Sequence, residues 1–161
     1  IYRLPLIPVF PWNLINPAVG VARGAVEQYV EQTAGRLERA SQTARMLRIA
    51  QSAAEADAAD ALLWKDAHEI KQLGEAGLIP PEARVRWLRD TAYAGQLCFR
   101  AVKRLAAAVG AHGLPNDNPI QRAFRDVNAI GNHVGLSFDH YAEVFGRTAV
   151  TGDPSEPRIW S

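Results

Sequence analysis

Apolar residues recur at intervals of three and four along most of the chain, which is the spacing of one face of an α-helix. The pattern predicts a first helix over about 14–38, a second over about 45–76 and a third over about 81–110. The third helix has the most regular seam, of the heptad type found in antiparallel bundles. Its seam positions are Val85, Leu88, Ala92, Gly95, Phe99, Val102, Ala106 and Val109. We find no strand-like alternation.

Residues that favour helix ends separate these segments and predict two further helices. Gly77 and the prolines after it end the second helix, because glycine tolerates a left-handed cap and proline cannot continue a helix. Asn118, followed by a proline, caps a fourth helix that ends near Gly135. A short fifth helix reaches about Gly146. The sequence therefore predicts an all-α, up-down four-helix bundle with a short extra C-terminal helix.

The two ends of the chain are predicted to lie outside the bundle. The first twelve residues are apolar but contain Pro5, Pro8 and Pro11, and each proline biases the chain toward extended geometry. We therefore expect an extended connector over 1–12, the helical bundle over 13–148 and a tail over 149–161. The connector either packs on the core of this domain or leads from a preceding domain, and the sequence leaves both interpretations open.

Composition narrows the classes of function. The chain has 161 residues, a length typical of one domain, and its 18 basic and 17 acidic side chains leave no surplus for binding nucleic acid. Because the prolines interrupt its apolar start and no long apolar run follows, we expect neither a signal peptide nor a membrane span, and a cytoplasmic location. The single cysteine excludes an internal disulfide, and the four histidines lack metal-ligand spacing.

One histidine stands near the end of the fourth predicted helix. On a helix, His133 would share a face with Asp126 and Ile130, and the neighbouring Gly131 and Gly135 would leave room for a flat ligand. An imidazole suits proton transfer near neutral pH. Taken alone, this arrangement is also compatible with a purely structural histidine.

Three segments together resemble a known family. NPIQRAFRDVNAIGNH at 118–133, YAEVFGR at 141–147 and AVGVARGA at 18–25 are similar to the C-terminal domain of flavin-dependent two-component monooxygenases with the acyl-CoA dehydrogenase fold. These are oxygenase subunits that act on phenols and related aromatic compounds. The resemblance extends over nearly the whole chain, and its most specific part is the Pro-Ile-Gln-Arg-x-Phe-Arg-Asp motif.

The resemblance implies a larger enzyme. Family members have a helical N-terminal domain, a β-domain and this C-terminal bundle, which also builds a tetramer, so residues 1–12 would be the exit from a β-domain that the chain lacks. Reduced FMN, slightly favoured here, or reduced FAD arrives from a separate NADH-dependent flavin reductase and reacts with O₂. The resulting flavin C4a-hydroperoxide hydroxylates a phenol-like substrate.

The resemblance also assigns site residues. His133 falls on the family's active-site histidine beside the flavin ring, where it would deprotonate a phenol or hydrogen-bond the hydroperoxide. Val134 would add a backbone contact, and Arg36 resembles an arginine that meets the flavin phosphate. Ala111 and His112 occupy a turn that, in the family, passes over the flavin of a neighbouring subunit. No metal is implied.

Two alternatives remain open at this stage. One is an acyl-CoA dehydrogenase relative that works by hydride transfer, although Val134 lacks the carboxylate that such enzymes use as a base near this position. The other is a non-catalytic bundle that oligomerises without binding flavin.

Overall fold

A computed structural model describes residues 6–35, 42–113 and 115–154 of the chain. Within these ranges the chain forms helices and no strand, so the predicted all-α class is confirmed. The α-helices are α1 (Leu6–Val9), α2 (Trp12–Ala34), α3 (Gln42–Ala76), α4 (Pro81–Val109), α5 (Pro119–Gly131) and α6 (Phe138–Thr151), with 3₁₀ turns at Gly110–Gly113 and Val134–Leu136. None of the helices in these ranges is long and apolar enough to cross a membrane.

Helices α2 to α5 form the predicted antiparallel bundle. The contacts between α3 and α4 show the direction, because partner numbers rise along one helix as they fall along the other. Ser52 Oγ donates to the Ala101 carbonyl oxygen at 3.2 Å, and Lys65 Nζ donates to Asp90 at 2.6 Å. Helices α2 and α5 pack against each other and close the bundle, and α6 packs on α4.

Helix α4 is buried on more of its circumference than its seam predicts. Beyond the seam, it buries a second set of side chains: Trp87, Ala94, Leu97, Cys98, Ala101 and Leu105. The reason is that α4 packs against α2, α3, α5 and α6 rather than against a single neighbour. A central helix must be apolar or small on nearly every side, and the sequence pattern alone does not show how many neighbours a helix has.

The N-terminal connector is not extended where the structure describes it. Residues 6–9 form α1, and Pro11 has the helical angles φ −61° and ψ −14° at the start of α2. Proline is tolerated in the first turn of a helix because the N–H groups there have no partner within the helix. Val9 packs against Ile70 and Trp87, so this part of the connector lies on the core of the domain.

The last helix is longer than predicted. Helix α6 passes through Gly146 and ends at Thr151, and Gly152, with a φ of +72°, forms its left-handed cap. Burial of Val144 and Thr148 on either side of Gly146 favours the helix by more than the roughly 1 kcal/mol that an interior glycine costs relative to alanine. The predicted boundary between bundle and tail at residue 148 therefore falls inside a helix.

An ionic cluster built on two buried carboxylates joins α3, α4 and α6. The Asp90 carboxylate accepts hydrogen bonds from Lys65 of α3 at 2.6 Å and from Arg89 Nε at 2.7 Å. The Arg89 guanidinium lies over the Phe145 ring of α6, 3.9 Å from its centroid. Asp66, which is fully buried, pairs with Lys65 Nζ at 3.0 Å, and neither of its oxygens has a well-directed hydrogen bond among the described residues.

We expect Asp66→Asn to stabilise the fold at neutral pH. Burial raises the pKa of Asp66 to about 6, against the attraction of Lys65 and with a contribution from the nearby Asp90 charge. Because the folded pKa lies above the unfolded value, the folded state holds the proton more tightly, and stability falls as pH rises from about 4 to about 6. Above this pH range, removing the ionisable group should therefore raise the free energy of unfolding by up to about 3 kcal/mol.

Urea unfolding at pH 4, 6 and 8 measures this effect. The Asp66→Asn variant should exceed the parent in free energy of unfolding at pH 8, and the difference should shrink toward pH 4. Asp57→Asn, which changes an exposed carboxylate, is the matched control and should show no such gain. Equal or lower stability of Asp66→Asn at pH 8 would contradict the assignment.

Candidate functional site

His133 follows α5 rather than belonging to it. Helix α5 ends at Gly131, Asn132 caps it, and His133 has extended backbone angles of φ −72° and ψ 135°. The predicted helical face shared by Asp126, Ile130 and His133 is therefore wrong. The cause is local, because the chain leaves α5 two residues before the histidine and then enters the Val134–Leu136 turn.

The imidazole of His133 caps this turn. The Gly135 N–H donates to His133 Nδ1 at 3.0 Å. A ring nitrogen that accepts a hydrogen bond carries no proton, so the neutral ring holds its proton on Nε2. The side chain is half-buried. This geometry leaves Nε2–H as a hydrogen-bond donor whose ring orientation is fixed by the backbone.

The two glycines near His133 have different roles. A Cβ at Gly135 would lie 3.2 Å from His133 Nδ1, so any larger residue here would push the ring a few tenths of an ångström away from this turn. A Cβ at Gly131 would meet nothing within 4 Å. Gly131 therefore borders open space, and Val134, the residue after His133, is 51% exposed.

A cleft of about 270 Å³ lies beside this turn, between α4, α5 and the start of α6. Asn132 and Leu136, which flank His133 in the chain, both contribute to its wall. The remaining residues that line it are Gly95, Gln96, Phe99, Val127, Asn128, Gly131, Ser137, Phe138 and Asp139. The polar residues of this set were not predicted from the sequence, whereas two of its glycines were singled out, Gly95 in the seam of α4 and Gly131 beside His133.

The turn that carries Ala111 and His112 lies at the other end of α5. It begins at Gly110, whose φ of +63° favours glycine, and Ala111 is exposed. The side chain of His112 lies outside the described part of the structure. Since α5 has 13 residues, about 18 Å of helix separates this turn from His133. One flat ring system cannot contact both places within one chain.

Arg36, the predicted phosphate ligand, also lies outside the described residues. The last turn of α2 ends near the Ala111 turn, because Thr33 shares a small polar depression with Val109 at the end of α4. The predicted residues therefore fall into two groups. His133 and Val134 lie at one end of the bundle, and Ala111 and the backbone of His112 lie at the other.

Neither a reactive thiolate nor a group of metal ligands is found among the described residues. Burial raises the pKa of the Cys98 thiol to about 12, so the thiolate that a nucleophile requires does not form at neutral pH. Across residues 6–35, 42–113 and 115–154, no three His, Cys, Asp or Glu side chains are grouped as metal ligands would be.

The chain is similar to a known protein family and to oxygenase components of hydroxylases. Residues 14–138 match the family described as acyl-CoA dehydrogenase, C-terminal domain. The chain is 31% identical over 169 residues to the FADH(2)-dependent resorcinol hydroxylase, oxygenase component, of Rhizobium sp., covering 96% of the chain and 41% of that protein. It is 31% identical over 168 residues to the p-hydroxyphenylacetate 3-hydroxylase, oxygenase component, of Acinetobacter baumannii, covering 99% of the chain and 39% of that protein.

A solved structure is also similar to the chain over most of its length. The HsaA monooxygenase from M. tuberculosis matches with a TM-score of 0.85 and 32% identity, over 92% of this chain and 41% of that chain. The chain thus spans about two-fifths of the length of the proteins it matches.

Proposed function

Since the chain belongs to the acyl-CoA dehydrogenase C-terminal domain family, we propose that it forms the C-terminal bundle of the oxygenase component of a two-component flavin-dependent monooxygenase. The proposed reaction is hydroxylation of a phenol-like aromatic compound. The observation that carries the proposal is similarity at 31% identity over almost the whole chain to two relatives that are each named as the oxygenase component of a hydroxylase.

The residues around His133 fit a flavin ring. Val134 and Gly131 present an open surface, and His133 supplies an N–H donor of fixed direction. The edge of a flavin ring carries oxygen and nitrogen acceptors that such a donor suits. We propose that His133 and Val134 contact the flavin of their own subunit, whereas Ala111, His112 and Arg36 contact a flavin shared with a neighbouring subunit. When bound, reduced flavin with O₂ supplies the oxygen atom that is transferred.

The hydrogen bond from Gly135 favours one of the two roles considered for His133. To act as a base through Nε2, the neutral ring would have to move its proton to Nδ1 and lose the Gly135 hydrogen bond. To donate through Nε2, it needs no rearrangement. We therefore propose that His133 stabilises developing negative charge on the flavin or substrate by hydrogen bonding, rather than deprotonating the phenol.

The proposed reaction needs partners beyond this chain. They are an NADH-dependent flavin reductase, which implies a cytoplasmic location, and sister subunits in a tetramer. The name of the resorcinol-hydroxylating relative favours reduced FAD, against the slight sequence-based preference for FMN. Hydride transfer of the acyl-CoA dehydrogenase type is less well supported, because the residue after His133 is the aliphatic Val134.

The test is turnover by the complete gene product that contains this chain. Combined with a flavin reductase, NADH and a panel of simple phenols under ¹⁸O₂, it should form a hydroxylated phenol that carries one labelled oxygen. Omission of either FAD or FMN, and then of both, identifies the flavin. Oxidation of an acyl-CoA without hydroxylation would establish the dehydrogenase alternative. Failure to bind reduced flavin would establish the non-catalytic bundle.

A further inference from the structure

Two asparagines near the end of α5 line the cleft beside His133 with their amide groups in fixed orientations. Asn128 Nδ2 donates to the Phe124 carbonyl oxygen at 2.6 Å, and Asn132 Nδ2 donates to the Asn128 carbonyl oxygen at 2.8 Å. Because only the nitrogen of an amide side chain can donate, these bonds determine which end of each amide faces the helix. The other end, Oδ1, stays available as an acceptor, and no described residue donates to it in either asparagine.

The cleft has a third acceptor, and none of the described residues that line it is basic. Asp139, in the first turn of α6, is exposed, and its ionised carboxylate can only accept hydrogen bonds. Its charge also offsets the positive end of the α6 dipole, which would otherwise attract an anion. The nearby Lys103, 5.5 Å from the centroid of the Phe99 ring, lines a separate cavity toward the start of α5. Gln96 and Ser137 can each donate or accept, so they favour neither kind of ligand.

Two aromatic side chains form apolar walls of the cleft, and each packs against a second ring. The ring centroids of Phe138 and Tyr93 are 5.4 Å apart, and those of Phe99 and Phe124 are 6.5 Å apart with the ring planes at 28°. Such contacts hold aromatic side chains in place. The cleft volume of about 270 Å³ is small for a ligand pocket, so it suits a compound with a single ring.

We propose that the cleft selects a single-ring aromatic substrate that carries at least two neutral hydrogen-bond donors, such as two hydroxyl groups, and discriminates against one that carries a carboxylate. The inference rests on the proposed function, because it names the substrate class for that same site. Hydroxyl donors pair with the Oδ1 atoms of Asn128 and Asn132, whereas a carboxylate would face these two oxygens and the negative charge of Asp139. Asn128, Asn132 and Asp139 are therefore the specificity-determining residues.

Two matched compounds test the discrimination against anions. With a flavin reductase, NADH and flavin, the complete gene product should hydroxylate 3,5-dihydroxybenzamide with a kcat/KM about tenfold or more above that for 3,5-dihydroxybenzoate, which differs in carrying a negative charge. Asp139→Asn should reduce this ratio to about threefold or less, because it removes the charge at the cleft. Asp153→Asn, the same change at an exposed position beyond the other end of α6, should leave the ratio unaltered. A ratio near one in the parent, or one that Asp139→Asn does not change, would overturn the proposal.

A second comparison tests the asparagine acceptors. 3-Hydroxybenzamide lacks one hydroxyl donor, so the parent should prefer the dihydroxy amide by about tenfold in kcat/KM, since an acceptor is otherwise left unpaired. Asn128→Leu keeps the size of the side chain without the acceptor and should reduce this preference to about threefold or less. Thermal unfolding verifies that the variant is folded. An unchanged preference in a folded Asn128→Leu variant would contradict the role of Asn128.

The same compounds separate failure of this inference from failure of the proposed function. Equal hydroxylation of the benzoate and the benzamide would leave the proposed function standing and overturn the inference. If neither compound is hydroxylated, the proposed function fails, and isothermal titration calorimetry of the two compounds with the complete gene product then decides the inference. Tighter binding of the benzamide that depends on Asp139 supports it, and equal or undetectable binding of both compounds overturns it.

Discussion

His133→Asn should lower the rate of substrate hydroxylation by about 10² to 10³-fold while leaving the fold unchanged. The asparagine Oδ1 takes the place of His133 Nδ1 and accepts the Gly135 N–H in the same turn. What the substitution removes is the Nε2–H donor on the far side of the ring. The variant therefore separates the capping role of the histidine from its proposed chemical role.

The measurement is hydroxylated product formed per NADH consumed by the complete gene product, with thermal unfolding as the structural readout. His133→Ala is the companion variant, since it loses both the donor and the cap and should also lose about 1 kcal/mol of stability. An Asn variant that retains full hydroxylation would show that His133 acts only as a cap. An Asn variant as unstable as the Ala variant would show that the cap is not replaced.

Asp90→Ala should lower the free energy of unfolding by about 2 kcal/mol, the contribution typical of a hydrogen bond to a charged group. The Asp90 side chain is only 3% exposed, and its two oxygens hold Lys65 on one side and Arg89 on the other. Its loss leaves the half-exposed Lys65 and the less exposed Arg89 without this carboxylate. It also frees the Arg89 guanidinium from its position over Phe145, so we expect amide hydrogen exchange to accelerate in α6.

Asp60→Ala is the matched control for Asp90→Ala. Asp60 also pairs with an arginine, at 2.9 Å from Arg23, but both side chains reach solvent. Ion pairs of that kind contribute about 1 kcal/mol or less. Urea unfolding of the two variants gives the comparison. If Asp90→Ala lowers the free energy of unfolding by no more than Asp60→Ala does, the ionic cluster does not hold α3, α4 and α6 together.

The bundle follows from local sequence features, and the deviations from prediction arise where packing outweighs them. Asn118 caps α5 as expected, with its side chain accepting from the Ile120 N–H at 2.9 Å. The predicted extended geometry was wrong over residues 6–12, as was the predicted helix end at Gly146, because a proline or a glycine only biases the local backbone. Packing of the partly buried Val9 and of the buried Val144 favours the observed helices, and this packing depends on residues distant in sequence.

The site was less accessible to sequence reasoning than the fold. The resemblance identified His133, but the hydrogen bond from Gly135 that fixes its proton depends on backbone angles after α5. The cleft beside it draws Gln96 from α4, Asn128 from α5 and Asp139 from α6. No periodicity relates residues on three different helices. Asp66 was missed for a similar reason, since an aspartate in an alanine-rich helix gives no sign of the side on which it is buried.

The positions of the two sulfur atoms determine how this chain meets oxidants. It has one cysteine and one methionine. Cys98 is fully buried with its pKa raised to about 12, so peroxide finds no thiolate there. Met46 is 43% exposed near the start of α3. Oxidative damage to sulfur therefore falls first on Met46, where a sulfoxide makes an exposed apolar side chain polar and leaves the packing around the buried Cys98 unchanged.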